Sequence, residues 1–403
     1  MDNMPKAAEV AIWRDNRAVA LLMAATLTVM ANATISPALP GLQHLFVDEP
    51  HSELLTRLLV TAPSLSIALL APLVGLVVDR IGRRVPLLVG IILFVIAGSA
   101  GLYLPDLLTI FLSRIVLGVA VAFIMTAQTA LIGDYFSGEI RSTLTGLQIS
   151  ARNFGGLVLI LLAGLVATVS PRWVFGVYGL ALLVLPLAWA AIVEPRRSLD
   201  VGRASHLPGS EGKPKWALLF FGLVILQSVT NMFFFIMPTQ LPFFLDAQGY
   251  SSASMTGMTL SLLMLSGGTV ALAYSRIQRT IGYAGVYAFG YAAMASGFLL
   301  LLNSGEALFI LAGAALIGAG YAAVSPTFVA LTLAMAPQHR RGLAGGILTS
   351  SVFAGQFMSP LLSTPVIMTA CYDGLFVCVT VLLACMAIIV CAAIRYGTRE
   401  TRS

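Results

Sequence analysis

Gly75–Arg84 reads "GLVVDRIGRR", four charges in ten positions of a 403-residue chain that is 58% hydrophobic and only 10% charged. A soluble domain carries about 25% charged residues, so these four stand out against an apolar background. They lie between two apolar runs that begin near Leu55 and Val85. Ten further runs begin near Ala18, Leu107, Thr143, Trp173, Trp216, Ser254, Ile281, Ala307, Gly342 and Gly374. Most exceed the roughly 20 residues a helix needs to cross the hydrocarbon core. Barrel strands would be half that length and would alternate in polarity. The fold class is therefore all-α integral membrane, with twelve transmembrane helices.

The net charge of +6 does not indicate a nucleic-acid face, because the basic residues come in short clusters between apolar runs. With a cytoplasmic N-terminus, nineteen of the twenty-three fall on one side, among them Arg80, Arg83, Arg84, Arg141 and Arg196. The opposite loops hold only Arg57 and Arg172, so the positive-inside rule puts both termini in the cytoplasm. Asp2, Glu9 and Asp15 among the first seventeen residues argue against a cleaved signal, and the first span is expected to stay. Cys371, Cys378, Cys385 and Cys391 share one stripe of the last span, about 10 Å apart by helical rise, too far for disulfides. They read as small packing residues.

The chain also repeats itself. A shift of 200 positions matches Gly118 with Gly318, Arg141 with Arg341, Gly146 with Gly346 and Gly155 with Gly355. A shift of 196 lays Arg80, Ile81 and Arg83 over Arg276, Ile277 and Arg279, and Asn32, Pro37 and Pro40 answer Asn231, Pro238 and Pro242. Two pseudo-symmetric six-helix halves, 18–194 and 216–396, are thus joined by a polar linker at 195–215, with tails at 1–17 and 397–403.

At this point the residues resemble the major facilitator superfamily. "GLVVDRIGRR" fits its signature GxxxDRxGRR between the second and third helices, and "RIVLG", "DYFSGEIRS", "SPALPGL" and "GQFMSPLL" support the match. The branch resembled is that of drug/proton antiporters and arabinose-efflux-type exporters. The resemblance implies a latch that locks the cytoplasmic ends of the halves when the transporter opens outward. Asp79 and Arg80 belong to it. Asp79 would face the N-terminus of the eleventh helix, where the dipole favours a carboxylate. Arg83 would pair with Asp134, with Arg84 and Arg141 beside them, and Gly75 and Gly82 would permit close approach and a tight turn. Basic residues alone would satisfy the positive-inside rule, which leaves Asp79 for the latch to explain.

An ionisable residue inside a span is a functional hypothesis by default. Arg114 and Arg152 are such residues, whereas none of the seventeen carboxylates and none of the four histidines falls mid-span. Buried guanidiniums need a counter-ion, and a substrate anion could supply it through the planar fork of arginine; capping of backbone carbonyls is the other reading. The first helix of each three-helix unit lines the pathway in the resembled family, which makes Asn32, Gln128, Asn231, Phe234 and Tyr321 candidates as well. The fifth-span antiporter pattern GxxxGPxxGG is broken, with Leu159, Ile160 and Ala163 in place of Gly, Pro and Gly.

These readings converge on a secondary active transporter in the cell inner membrane, not an enzyme, that exports a small organic anion or a siderophore-like compound. Multidrug/proton antiport and organic-anion import are the alternatives. The expected partners are a small-molecule substrate, a coupling ion such as H+ and the lipid bilayer. No cofactor, metal or nucleic acid is expected, and the protein should act as a monomer.

Overall fold

The computed structural model describes residues 12–195, 216–303, 305–337 and 340–400. The linker assigned to 195–215 therefore lies outside the described residues except for Pro195, as do the first eleven residues of the tail and residues 401–403. Within lipid, backbone polar groups must be satisfied inside each segment, and the described residues are accordingly helical with no strand.

Nine of these helices are long and apolar enough to cross a membrane, and a bent pair makes a tenth. They are α1 (Asn16–Leu45), α2 (Ser52–Leu58 then Ala62–Ile81), α3 (Arg84–Leu102), α4 (Leu107–Tyr135), α5 (Gly138–Val169), α6 (Pro171–Ala191) and α7 (Trp216–Ala247), followed by Ser252–Leu301, Ala307–Met335 and Arg341–Glu400. At 1.5 Å per residue a 50-residue helix would run about 75 Å and a 60-residue helix about 90 Å, two or three times the roughly 30 Å core. Both break instead, at Gly282 (φ 68°) and Cys371 (φ 59°). The pieces are α8 (252–281), α9 (283–301), α11 (341–370) and α12 (372–400), with α10 at Ala307–Met335.

Packing confirms the reversal at Gly282. Going along α10, Gly313, Ile317 and Val324 meet Gly297, Gly297 and Gly290 of α9, whereas Gly318 and Thr327 meet Leu263 and Tyr274 of α8. α9 thus runs antiparallel to α10 and α8 parallel to it. Among the described residues twelve crossings result, and an even number leaves the first and last of them ending on one face, termed the termini face below. The helix α12 continues to Glu400, into the tail expected at 397–403.

The internal repeat extends from residue types to packing. A Cβ on Gly118 would lie 2.3 Å from Pro63 O and 2.7 Å from Ser66 Cβ. A Cβ on Gly318 would lie 2.1 Å from Leu263 O and 2.7 Å from Ser266 Oγ. Both partners are displaced by the same 200 positions as the glycines. In each half the close approach of two backbones replaces the missing hydrophobic drive between helices in lipid.

Apolar side chains such as Leu69, Leu73, Leu76, Leu165 and Ile388 are exposed on the outside of the bundle, where lipid covers them. Cys371, at the break between α11 and α12, and Cys378 and Cys385 of α12 are exposed, so they are not packing residues, and the side chain of Cys391 lies outside those described. Asp15 caps α1, accepting from Arg17 N at 2.9 Å, and its hydrogen bond from the Arg17 side chain holds its carboxyl below the usual carboxylate range.

Gly118→Val and Gly318→Val should each overpack a backbone contact and lower stability by about 1–3 kcal/mol. Thermal midpoints of the two purified variants should fall to a similar extent, because the two contacts are copies.

Candidate functional site

The two halves touch at the face opposite the termini and part toward the termini face. Gly164 of α5 and Gly257 of α8 approach so closely that a Cβ on either would lie 2.9 Å from the other's Cα. Ser261 Oγ then donates to Leu157 O at 3.0 Å, and Asn153 packs on Gly268 at mid-depth. On α2 and α11, Ser64 Oγ donates to Gln356 Oε1 at 2.8 Å. Nearer the termini face, nothing lies within 4 Å of a Cβ placed on Gly75, Gly146, Gly345 or Gly346. The seam is therefore closed from the opposite face down to mid-depth and open below.

At the bottom of that closed zone the same Gln356 Oε1 also accepts from Asn32 Nδ2 at 3.3 Å. Asn32 comes from the stretch where Pro37 interrupts α1 with a 3₁₀ turn, Ser36–Ala38. Its Oδ1 is buried without a protein hydrogen-bond partner. Across the seam, Tyr321 OH donates to Asn231 Oδ1 at 2.8 Å, and the Tyr321 ring stacks on Phe234 at 3.9 Å between centroids. Asn231, Phe234 and Tyr321 are thus brought together as one amide and aromatic wall of the C-terminal half. Gln227 Nε2, one turn earlier on α7, is buried without a protein partner.

Arg152 of α5 lies one turn before Gly155 and Gly156, whose positions meet Thr26 and Val29 of α1 and Met264 of α8. Helical spacing places it on the same face, at the lower edge of the closed seam. It is half-buried, its Nε has no protein partner, and it belongs to none of the ion pairs among the described residues.

Arg114 is placed differently, inside the N-terminal half and away from the seam. It is 0% exposed inside the N-terminal half, 4.7 Å from the Phe175 centroid and 4.6 Å from that of Tyr178, and donates to Gly98 O at 3.0 Å. Two aromatic faces and a carbonyl compensate the charge in part, while Nε and Nη1 are buried without a protein hydrogen-bond partner. Gln128 is similarly engaged, donating through Nε2 to Leu21 O and bracing α4 on α1.

At the termini face Arg83 Nε lies 3.1 Å from Asp134 and Arg83 Nη2 lies 3.8 Å from Asp79. Asp79 is exposed at the edge of the opening, Arg80 and Arg141 are exposed too, and Arg84 donates to Trp189 O at 2.9 Å. Gly82, at φ 108°, ends α2. A residue missed in the sequence fixes this turn: Glu194, just after α6, accepts from Arg83 N and Arg84 N, both at 2.8 Å. Its place in "VEPRRS", beside the basic linker, gave only the appearance of a loop charge. Gln356 and Arg57 were also missed. Gln356 sits in "GQFMSPLL", but only the tertiary contact with Asn32 and Ser64 reveals a seam residue.

A family model described as the Major Facilitator Superfamily matches residues 21–360. Among curated relatives, the puromycin resistance protein pur8 of Streptomyces alboniger is 34% identical over 199 residues, 48% of this chain and 38% of that protein. The quinolone resistance protein NorA of Staphylococcus aureus (strain MSSA476) is 27% identical over 176 residues, 43% of this chain and 45% of that protein. The chain thus spans less than half the length of these curated relatives. Among solved structures, the D-xylose-proton symporter superposes with a TM-score of 0.76 at 18% identity, covering 92% of this chain and 96% of that one.

Arg114→Met should remove cation–π contacts worth about 2 kcal/mol or more when desolvated. The thermal midpoint should fall, while ligand affinity measured on the folded fraction stays within about twofold, as expected for energies this far from the seam.

Proposed function

The chain belongs to the major facilitator superfamily, and from that premise we propose that it is a secondary active exporter of a small organic anion. It works by rocking its two halves about the seam. The observation that carries the substrate class is Arg152, a guanidinium at the lower edge of the seam outside every ion pair among the described residues. An arginine so placed binds a carboxylate or phosphate through two parallel bonds. The stacked Phe234 and Tyr321 suit an aromatic or apolar body, and the orphan Asn32 Oδ1 suits a hydrogen-bond donor on it. A metabolite of this kind, or a carboxylate-rich secreted compound such as a siderophore, fits all three.

The excess of basic residues supports a cytoplasmic termini face in a bacterial inner membrane. The conformation described is then the one that loads from the cytoplasm. In it, Arg83 is already held on Asp134 by the turn that Glu194 fixes. Closing the termini face would bring Asp79 to the start of α11, where the helix dipole stabilises a carboxylate. We assign Gly75, Arg80, Arg84 and Arg141 to the same latch.

A second reading, efflux of lipophilic drugs, draws on the resistance proteins among the relatives and on the aromatic wall, whose apolar cluster Met264 also packs against. The two readings separate in proteoliposomes. Uptake of benzoate and salicylate should saturate, and Arg152→Gln should raise their KM at least tenfold, equivalent to about 1.4 kcal/mol, with Arg152→Lys intermediate. Ethidium transport with no effect of Arg152→Gln would instead favour the drug reading.

A further inference from the structure

We propose that Arg57 is the gating residue of the face opposite the termini: its guanidinium bolts α2 to α7 and α11 and must leave Gln240 before that face can open. In the sequence Arg57 counts only as one of two basic residues in the outer loops. In the structure it is 5% exposed. One Nη donates to Gln240 Oε1 of α7, and the guanidinium lies 4.3 Å from the Phe243 centroid. Gln240 is itself held, donating through Nε2 to Ser363 Oγ at 2.8 Å and Thr364 Oγ1 at 3.2 Å on α11. A single cation therefore links one helix of the first half to two of the second.

The electrostatics let such a bolt move. The acid that neutralises Arg57 is Glu53, at 3.0 Å and half-exposed, and it sits four residues earlier on the same helix. Charge compensation travels with α2 when the halves part, so opening breaks the Gln240 and Phe243 contacts without stranding a buried charge. Arg57 Nε has no protein partner while the gate is shut, and water reaches it once the gate opens. The guanidinium thus has a dry, bridging position and a wet, unbridged one, as a two-state element requires. The repeat argues that this pair is not demanded by the fold, because the 200-residue shift that relates Pro63 and Ser66 to Leu263 and Ser266 puts Gly257 at the position equivalent to Arg57. Gate closure by a charge is confined to one of the two pseudo-equivalent sites.

His44 Nε2 and Asp246 Oδ2, exposed and 3.5 Å apart across the same seam, offer a reporter whose own contribution is small. In full-length protein with Cys371, Cys378, Cys385 and Cys391 replaced by serine, cysteines at positions 44 and 246 should cross-link in high yield with a short bifunctional thiol reagent. Gln240→Leu keeps the volume and removes both the acceptor for Arg57 and the amide donor to Ser363 and Thr364. Arg57→Gln removes the charge, and Arg57→Lys keeps it. The cross-linking yield should fall at least threefold in Gln240→Leu and in Arg57→Gln, and recover in part in Arg57→Lys. Size-exclusion profiles select folded protein for the comparison. Undiminished cross-linking in folded Gln240→Leu overturns the proposal, and so does a loss that Arg57→Lys shares in full.

Discussion

In hydrocarbon, an unpaired charge costs far more than a lost apolar contact, and the surroundings of Arg114, Arg57, Arg83 and Arg152 are read against that constraint. Arg114 is fully buried and is caged by two rings and a carbonyl. Arg57 is nearly as buried and carries its own carboxylate one turn away. Arg83 meets Asp134 at the termini face, where water also reaches it. Arg152 has none of these provisions and stands at the seam, which is why it carries the substrate assignment.

The same constraint explains how one bundle can hold two alternative closures. Each half is welded internally by backbone approach at glycines, Gly118 on Pro63 in one and Gly318 on Leu263 in the other. The seam between halves holds one glycine pair, a few side-chain hydrogen bonds, the Arg57 bridge and apolar contacts that draw Ala33 and Ile160 into the core of the C-terminal half and Phe353 into that of the N-terminal half. Its hydrogen bonds are worth about 1 kcal/mol each net. Halves welded at their glycines and joined by this seam suit the rocking motion proposed above.

The fold was readable in the sequence because its signals are local or periodic. Run length gave the crossings, "GLVVDRIGRR" gave the family, and the 200-residue shift matched glycines whose packing partners then turned out to shift by the same amount. Asn231, Phe234 and Tyr321 were nominated separately and the structure joins them. What the sequence withheld depends on contacts between distant segments. Glu194 looks like a loop charge until its two bonds to the Arg83 and Arg84 amides are seen, and Gln356 looks like an ordinary polar residue of α11. Arg114 and Arg152 are equivalent in a charge census. Only the rings of Phe175 and Tyr178, sixty positions along the chain, distinguish the caged one from the one at the seam.

The central claim is that Arg152 needs an anion, and calorimetric titration of the purified protein tests it without relying on a transport cycle. The account predicts that salicylate binds, that its uncharged amide, salicylamide, binds at least tenfold more weakly, and that Arg152→Gln abolishes the difference between them. Equal affinity for acid and amide in the unmodified protein would contradict it and make Arg152 a structural residue.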